Sequence, residues 1–462
     1  MEAIFNLEQV AKALNGKPTD CDMKAIVKGV STDTRTIKEG DLFFALIGET
    51  DGHRFVEKAI SANAVCCVVN VGANIPEGIP IIEVEDTGRA LLNLAAAYKS
   101  AMNVPAVAVT GSVGKTSTRD MLGCVLSQKY KTLVTEGNFN NEIGVPLTLF
   151  RLSDSHEMAV IEMGMSHFGE LSRITACVKP DTAVITNVGE AHMENLGDRD
   201  GILKAKLEVL EGLSSDGTVV LCGDNDKLWS VNGTLKFETV YCGIKNIGCD
   251  LIAENIRLYP DGSEFMFAYD GKEYKVRINV PGEHHVYNAL VSIIVGIKYN
   301  VPMNDIIEGI KEFIPSGMRQ AAVRIGNYTV IKDCYNASPT SMKSGLSVLA
   351  LSDVGKRKVA CLGDMLELGS ISDDAHYKTG LLAAESKIDC LITVGERAKL
   401  IAKGAEDGGM DKSSIYSFAD KESLYKELYN IIKSDDLILL KASRYMKLEE
   451  IAEFMEKSGK ED

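Results

Sequence analysis

The residues best suited to chemistry stand together in one segment, Thr110-Gly-Ser-Val-Gly-Lys-Thr116. It follows an apolar run, AVAVT (106–110), and opens a stretch of helical spacing that extends through Leu126. Glycines let a backbone wrap around phosphate oxygens, and the amides of a helix N-terminus offer partial positive charge. Gly111, Ser112, Val113, Gly114 and Ser117 would form such a cradle for ATP; Lys115 would reach the β- and γ-phosphates, and the Thr116 hydroxyl would sit on Mg2+. The usual phosphate loop carries a further glycine where Val109 stands. The alternative, a glycine-rich turn without a ligand, is disfavoured by the Gly-Lys-Thr triplet between a strand and a helix.

Two more turns leave apolar runs in the same part of the chain. VIEMG places Glu162 at the end of one, and TNVGEAH places His192 just beyond another. Ligands of open α/β sheets bind outside the carboxyl ends of the strands. Both side chains could therefore converge on the phosphate loop and help hold Mg2+, with water and phosphate completing the shell. Taken alone, each reads first as a structural or exposed polar residue, and Glu190 as part of a solvated turn. Lys204 and Lys206 lie in GILKAKLEVLEGL, a helical segment. A solvated face is the default for both, and composition and spacing do not choose between them.

The elements that must position these residues follow from periodicity. VCCVVN (65–70) and IIEV (81–84) predict strands, and TGRALLNLAAAYKS (87–100) a helix. Val104-Pro105 marks a boundary, because proline biases its neighbour away from helix. MAVIEMG (158–164), DTAVITNVG (181–189) and TVVLCGDND (218–226) predict buried strands that alternate with helices, the signature of a parallel sheet. From Pro315 onward, YTVIKD (328–333), KVACLGD (358–364), CLITVG (390–395) and DLILLKA (436–442) predict strands, with helices between them such as LYKELYNIIKS (424–434). The tail KSGKED (457–462) is polar and is expected to fray. The expected fold class is α/β in three domains, 1–103, 104–314 and 315–462: the central one is a P-loop ATPase-type parallel or mixed sheet, and the last a Rossmann-like, doubly wound sheet. The length, 462 residues, agrees with about three domains at roughly 150 residues each.

Composition excludes several classes. The net charge of −15 gains nothing from the counterion release that drives nucleic-acid binding, and it disfavours anionic membranes. A small anionic ligand is still allowed, since local charge overrides the net. The eleven cysteines are scattered, without a CxxC pair, which fits a reducing compartment. Glu2 and Glu8 stand where a signal peptide would be basic, and no apolar run is long enough to span a membrane. A cytoplasmic monomer that binds no nucleic acid and does not insert into membranes is expected. A regulatory P-loop switch is the reading from a different class; the NKxD-type guanine motif of a GTPase is absent.

The segments TGSVGKT, EGNFNNEIGVPLTL, IEMGM, TNVGEAHMENLG and KAKLEVL, in that order, resemble the Mur ligase family. Its members are ATP-dependent enzymes that join an amino acid or peptide to a UDP-muramyl precursor of the bacterial cell wall. The resemblance extends over essentially the whole chain. STDTRTIKEGDLFFALIGETDGH (31–53) looks like the family's UDP-binding segment; PGEHHVYNAL (281–290), SGMR (316–319) and DCYNASPTSM (333–342) look like its adenine and phosphate side. The family's phosphate loop also lacks the early glycine. GDMLELG (363–369), DCYNASP and KASRYMKLEE (441–450) are similar to segments of the members that add D-Ala-D-Ala to UDP-N-acetylmuramoyl-tripeptide. Ala442 departs from the glycine more common there, and the Asp-Asn-Pro-Arg motif of the diaminopimelate-adding members is absent. Folylpolyglutamate synthases place the phosphate loop much nearer the N-terminus.

The resemblance implies roles residue by residue. Lys115, Glu162, His192 and Lys206 would be catalytic, with Lys206, rather than Lys204, carbamylated by CO2. Thr116, Glu162, His192 and the Lys206 carbamate would hold Mg2+. Asn288, Arg319, Asp333, Tyr335 and Asn336 would contact ATP, through phosphate or adenine, the ribose hydroxyls (Asp333) and an adenine stack (Tyr335). Their plain alternatives are a helix-face amide, a surface ion pair, a core tyrosine and a turn cap. Thr34 and Arg35 would hold the UDP part; among Asn138, Asn140 and Asn141 in one loop, Asn141 would face the muramyl-diphosphate region; Arg444 would pair with the dipeptide carboxylate. The implied reaction passes through an acyl phosphate.

Overall fold

The computed structural model describes residues 5–355 and 357–458. The central part is built on a seven-stranded sheet in which every pairing is parallel. In spatial order its strands are Leu251–Ile252, Glu238–Gly243, Thr218–Cys222, Thr182–Ile185, Ala106–Thr110, Met158–Glu162 and Thr132–Val134. Strand Ala106–Thr110 is fully buried, as a parallel strand covered on both faces must be. The chain leaves it, runs through helix Lys115–Ser127, returns on one side as Met158–Glu162 and later on the other as Thr182–Ile185. The order of strands therefore reverses at the carboxyl end of Ala106–Thr110, the position where open α/β sheets open a crevice. An antiparallel meander, Glu254–Tyr259, Gly262–Tyr269 and Lys272–Ile278, follows the sheet.

The C-terminal part carries a six-stranded sheet in the order Ala321–Ile325, Tyr328–Lys332, Asp436–Lys441, Arg357–Gly363, Cys390–Val394 and Ile415–Phe418, parallel except for the first strand. Its side chains alternate between two cores. Val359 and Cys361 pack with Leu424, Leu428 and Ile451 on one face, while Ala360 and Leu362 pack with Met342, Leu346 and Ile401 on the other. Helices on both faces make this sheet doubly wound. The strands expected in both sheets are present; those expected at 181–189 and 218–226 are shorter, Thr182–Ile185 and Thr218–Cys222, and each runs on into a loop. The helix expected at 424–434 spans Lys421–Ile431, started by Asp420, whose side chain accepts from the Ser423 amide. The tail is described only to Ser458, which closes the helix Glu449–Ser458; 459–462 lie outside the described residues.

The N-terminal part is a five-stranded sheet, Lys17–Thr19, Ile81–Val84, Cys66–Asn70, Asp41–Phe44 and Gly29–Ser31, with only the first strand antiparallel. Helix Thr87–Met102 links it to the central sheet; Asp86 caps its start and Asn103, at φ 49°, ends it. One continuous apolar core runs from Leu7 and Leu42 through Leu91 and Tyr98 to Ala108 and Ile161. Tyr98, fully buried, stacks edge-on to Phe5 and donates from its hydroxyl to the Leu152 carbonyl at 2.7 Å. No helix among the described residues is long and apolar enough to cross a membrane.

Because this bond joins the linking helix to the central part, Tyr98→Phe is expected to lower stability by about 1–3 kcal/mol, the cost of stripping a buried carbonyl of its donor. Urea unfolding reads it as a lower midpoint at unchanged slope. An unmoved midpoint would mean that the Leu152 carbonyl finds water instead.

Candidate active site

The phosphate loop sits where the topology directs it, at the carboxyl end of Ala106–Thr110. Gly111, at φ 146°, leaves no room for a side chain: a Cβ would stand 1.9 Å from the Thr186 hydroxyl. Gly114, at φ 86°, turns the chain into helix Lys115–Ser127. The loop is braced from the neighbouring strand end. Asn187 accepts from the Val113 amide at 3.0 Å through Oδ1 and returns its Nδ2 to the Val113 carbonyl at 2.9 Å. The Gly189 amide donates to Ser112 Oγ at 2.9 Å.

Lys115 Nζ donates to the Gly111 carbonyl at 2.8 Å, folded back over its own loop. Burial lowers its pKa to about 8; Glu162 opposes the shift and Arg319 adds to it. Glu162 is completely buried at the end of its strand. Its Oε2 accepts from Thr116 Oγ1 at 2.8 Å and Arg119 Nη1 at 3.1 Å, and its Oε1 from Asn140 Nδ2 at 2.8 Å. Thr116 and Glu162 are thus adjacent hard-oxygen donors, the type Mg2+ prefers. Among the described residues no cluster of three or more His, Cys, Asp or Glu forms a cage.

The two lysines left open by the sequence separate clearly. Lys204 is exposed, its ammonium 5.7 Å from the centre of the Phe168 ring. Lys206 is buried, with no hydrogen bond or ion pair to its ammonium among the described residues. Burial first, then the charge of Lys115, drives its pKa well below the usual value, so that a neutral amine is favoured.

The second wall of the cleft, about 310 Å3 in volume, comes from the C-terminal sheet. Asp333 and Lys441 end two adjacent parallel strands. Lys441, buried, donates from Nζ to Asp333 Oδ2 at 2.8 Å and to the Asn336 carbonyl at 3.2 Å. Burial pushes the Asp333 carboxyl up, and Lys441 works against it. The Arg319 guanidinium lies 4.2 Å from the centre of the Tyr335 ring, so one face of the ring expected to receive adenine carries this cation. Asn336 Oδ1 accepts from the Ala337 amide, as a turn cap does. From the central part, Asn288 Oδ1 accepts from Thr118 Oγ1 at 3.0 Å. His284 is held neutral by burial, its pKa lowered to about 4, and His285 is buried with Nε2 unpartnered.

Of the expected site residues, Ser112, Val113, Gly114, Lys115, Ser117, Asn141, Glu162, His192, Arg319, Asp333, Tyr335 and Asn336 line this one cleft. Gly111, Thr116, Asn288 and Lys206 stand behind it: Thr116 touches Glu162, and Lys206 feels the charge of Lys115. His192 stands at the start of a short helix with its Nδ1 2.7 Å from Glu367 Oε2, reaching across to the C-terminal part. Three further expected residues, Thr34, Arg35 and Arg444, are also absent from the lining of the cleft. Arg35 is exposed and grips its neighbour Asp33 through Nε at 3.0 Å and Nη2 at 2.6 Å, with Thr34 between the two. Arg444 is exposed, pairs with Glu449, and approaches Met318 Sδ at 3.6 Å. In the asparagine loop it is Asn140 that reaches Glu162; Asn141 accepts from the Ile143 and Gly144 amides and so starts a helix.

Arg119, Lys441, His285 and Glu367 were not singled out in the sequence. Arg119 follows Thr116 by three residues on one helix, the spacing that brings both to the same carboxylate. Lys441 ends the apolar run DLILLKA, and a lysine closing a buried strand is a visible signal. Nothing local marks Glu367, whose partner is distant in sequence.

Two parallel sheets that present their carboxyl ends to a common cleft, one with a phosphate loop and a buried carboxylate, the other with a buried Lys–Asp pair, define a multi-part α/β enzyme that uses a nucleoside triphosphate. Residues 26–130 match the family model of the Mur ligase catalytic domain, 109–296 that of the Mur ligase middle domain, and 318–444 that of the Mur ligase glutamate ligase domain. The chain is 38% identical over 431 residues, 93% of each chain, to the UDP-N-acetylmuramoyl-tripeptide--D-alanyl-D-alanine ligase of Bacillus subtilis, and 32% identical over 458 residues, 98% of each, to that of Escherichia coli. A crystal structure of MurF from Acinetobacter baumannii superimposes with a TM-score of 0.90 at 30% identity, covering 98% of this chain and 99% of that one. MurF ligase from Thermotoga maritima in complex with ADP gives 0.81 at 25% identity, covering 94% and 98%. The chain belongs to the Mur ligase family.

With Lys115 as the cation expected to meet the triphosphate, kcat/KM for ATP is expected to fall as pH rises through about 8, where the amine of the free enzyme loses its proton. Lys115→Ala should lose most ATP turnover at every pH and flatten that limb of the profile. A limb that persists in the variant would assign the titration to another group.

Proposed function

We propose that the chain is an ATP-dependent ligase that adds D-Ala-D-Ala to UDP-N-acetylmuramoyl-tripeptide in the synthesis of peptidoglycan precursors. The relatives named above carry this activity in their names, and the cleft supplies groups suited to it. Residues 1–103 would bind the UDP substrate, 104–314 ATP, and 315–462 the amine and part of ATP, with the chain acting as a cytoplasmic monomer. Thr34, Arg35 and Asn141 are proposed for the UDP-muramyl side and Arg444 for the dipeptide carboxylate. Asn288, Arg319, Asp333, Tyr335 and Asn336 are proposed for ATP.

The terminal carboxylate of the tripeptide attacks the γ-phosphorus of ATP, giving an acyl phosphate and ADP. The dipeptide amine then attacks the acyl carbon, and the tetrahedral intermediate expels phosphate to leave the amide. Two anions must approach one another in the first step. Lys115 offsets their repulsion, and Arg319 brings a second cation to the same cleft. Mg2+, when bound to Thr116, Glu162, His192 and a Lys206 carbamate, would neutralise charge on the phosphates. Glu162, oriented by Arg119 and Asn140, holds its oxygens toward Thr116. Enclosure between two sheet ends keeps water from the acyl phosphate.

The observation that carries this reading is the unpaired, buried Lys206. Its neutral amine can attack CO2 and release a proton, becoming a carbamate anion. That exchange replaces a cation unsuited to a metal site with an oxygen ligand. Lys206→Ala is expected to lose nearly all ligase activity, with partial recovery on adding a short carboxylic acid. Full activity in the alanine variant would remove the lysine from the mechanism.

The reaction is tested by phosphate release with ATP and Mg2+, each acceptor omitted in turn. Release is expected only when both UDP-N-acetylmuramoyl-tripeptide and D-Ala-D-Ala are present. Release with the tripeptide and a different amine would move the assignment within the family. Release indifferent to both acceptors would overturn the ligase reading.

A further inference from the structure

His192 and Glu367 face each other across the junction of the central and C-terminal parts. His192 Nδ1 lies 2.7 Å from Glu367 Oε2; the approach falls off the hydrogen-bond line, and Nδ1 is buried with no other partner. Both residues are in the left-handed region, His192 at φ 66° and Glu367 at φ 62°. A non-glycine residue there is uncommon, and strained backbone persists only where its surroundings hold it. The surroundings here are each other's segments. The Glu194 amide points at the Glu367 carbonyl at 3.4 Å, and Gly369 lies against the Glu194 backbone. Thr340 Oγ1 also donates across this junction, to Glu190 Oε2 at 3.1 Å.

The imidazole thus has two unlike ends. Nδ1 is turned to a carboxylate of the other part, and the ring lines the cleft with Nε2 free of any hydrogen bond among the described residues. A carboxylate beside one ring nitrogen holds the ring in place and leaves the other nitrogen free to act as a lone-pair donor to a metal. We propose that Glu367 is a positioning residue for His192. Apposition of the C-terminal part clamps the ring and presents Nε2 to the cation, so cation affinity depends on a side chain from a different sheet. Glu367 itself touches neither substrate nor metal. This rests on the reading of His192 as a cation ligand.

The test is Mn2+ titrated into the full chain at saturating ADP, with free Mn2+ read by electron paramagnetic resonance against ADP alone. Glu367→Gln, which keeps the reach and removes the charge, is expected to weaken Mn2+ binding by about tenfold or more. It should lower kcat at limiting Mg2+ and recover it at high Mg2+, with KM for the dipeptide unchanged. Glu367→Asn, which suits the left-handed backbone and withdraws the side chain, should show the same loss and serves if the glutamine variant does not fold. Thr340→Val, which removes only the neighbouring contact, is expected to bind Mn2+ as the unmodified chain does. If His192→Ala weakens Mn2+ binding while both Glu367 variants leave it intact, the positioning role is overturned and the ligand reading stands. If His192→Ala leaves Mn2+ binding unchanged, the ligand reading itself falls.

Discussion

A carboxylate removed from water is tolerable only when its oxygens are fully engaged, and Glu162 meets that condition with three donors from two elements. Thr116 and Arg119 come from the helix after the phosphate loop, and Asn140 from the loop after strand Thr132–Val134. Thr135 Oγ1 accepts from the Glu162 amide at 3.0 Å, which fixes the strand end as well. The carboxylate therefore ties the loop that would cradle phosphate to the strand on one side of it. Asn187 and Thr186 tie the same loop to the strand on the other. The phosphate loop is braced from both flanks, and preorganisation of this kind is what lets fixed dipoles act on a charged reaction.

Charge in the cleft is balanced in number, with Lys115, Arg319 and Lys441 set against Glu162, Glu170 and Asp333, but it is unevenly paired. Lys115, Arg319 and Lys441 approach one region from two sheets, and only Lys441 has a carboxylate partner within hydrogen-bond distance. A cation without a carboxylate partner is costly to enclose, and the cost is offset when a polyanion binds. The acidic balance of the whole chain is no obstacle, because the field in a narrow cleft is set by its own walls. Lys206 is the extreme case: burial and the charge of Lys115 both push its pKa down, which favours the neutral, nucleophilic amine.

Much of this was legible in the sequence because it is local. The phosphate loop, the strands that end at Glu162 and before His192, and the strand ends at Asp333 and Lys441 follow from apolar runs that stop at turn residues. What resisted is what depends on distance in the chain. Lys204 and Lys206 differ by two positions on one helix, and only the packing against the central sheet decides which is buried. Arg35 and Asn141 carry the right chemistry, yet each has a nearer partner in its own turn, Asp33 and the amides at 143 and 144. Local side-chain–backbone bonds compete with any distant role, and residue type alone does not reveal which wins.

Backbone strain obeys the same division. Most left-handed non-glycine residues are asparagine or aspartate at turns, or lysines such as Lys179 and Lys387 that end helices. Both classes have an ordinary reason: a short polar side chain tolerates the region, and a helix C-terminus often requires it. Three remain without one, His192, Gln320 and Glu367. His192 and Gln320 line the cleft, and Glu367 contacts His192. Each such residue costs of order 1–3 kcal/mol, which the surrounding packing must offset. Local propensity and global fold agree through the three sheets and disagree at the junction of the central and C-terminal parts. A foldable sequence concentrates such conflicts where function imposes them. The cleft is therefore marked twice, by its chemistry and by the backbone conformations that only the assembled molecule sustains.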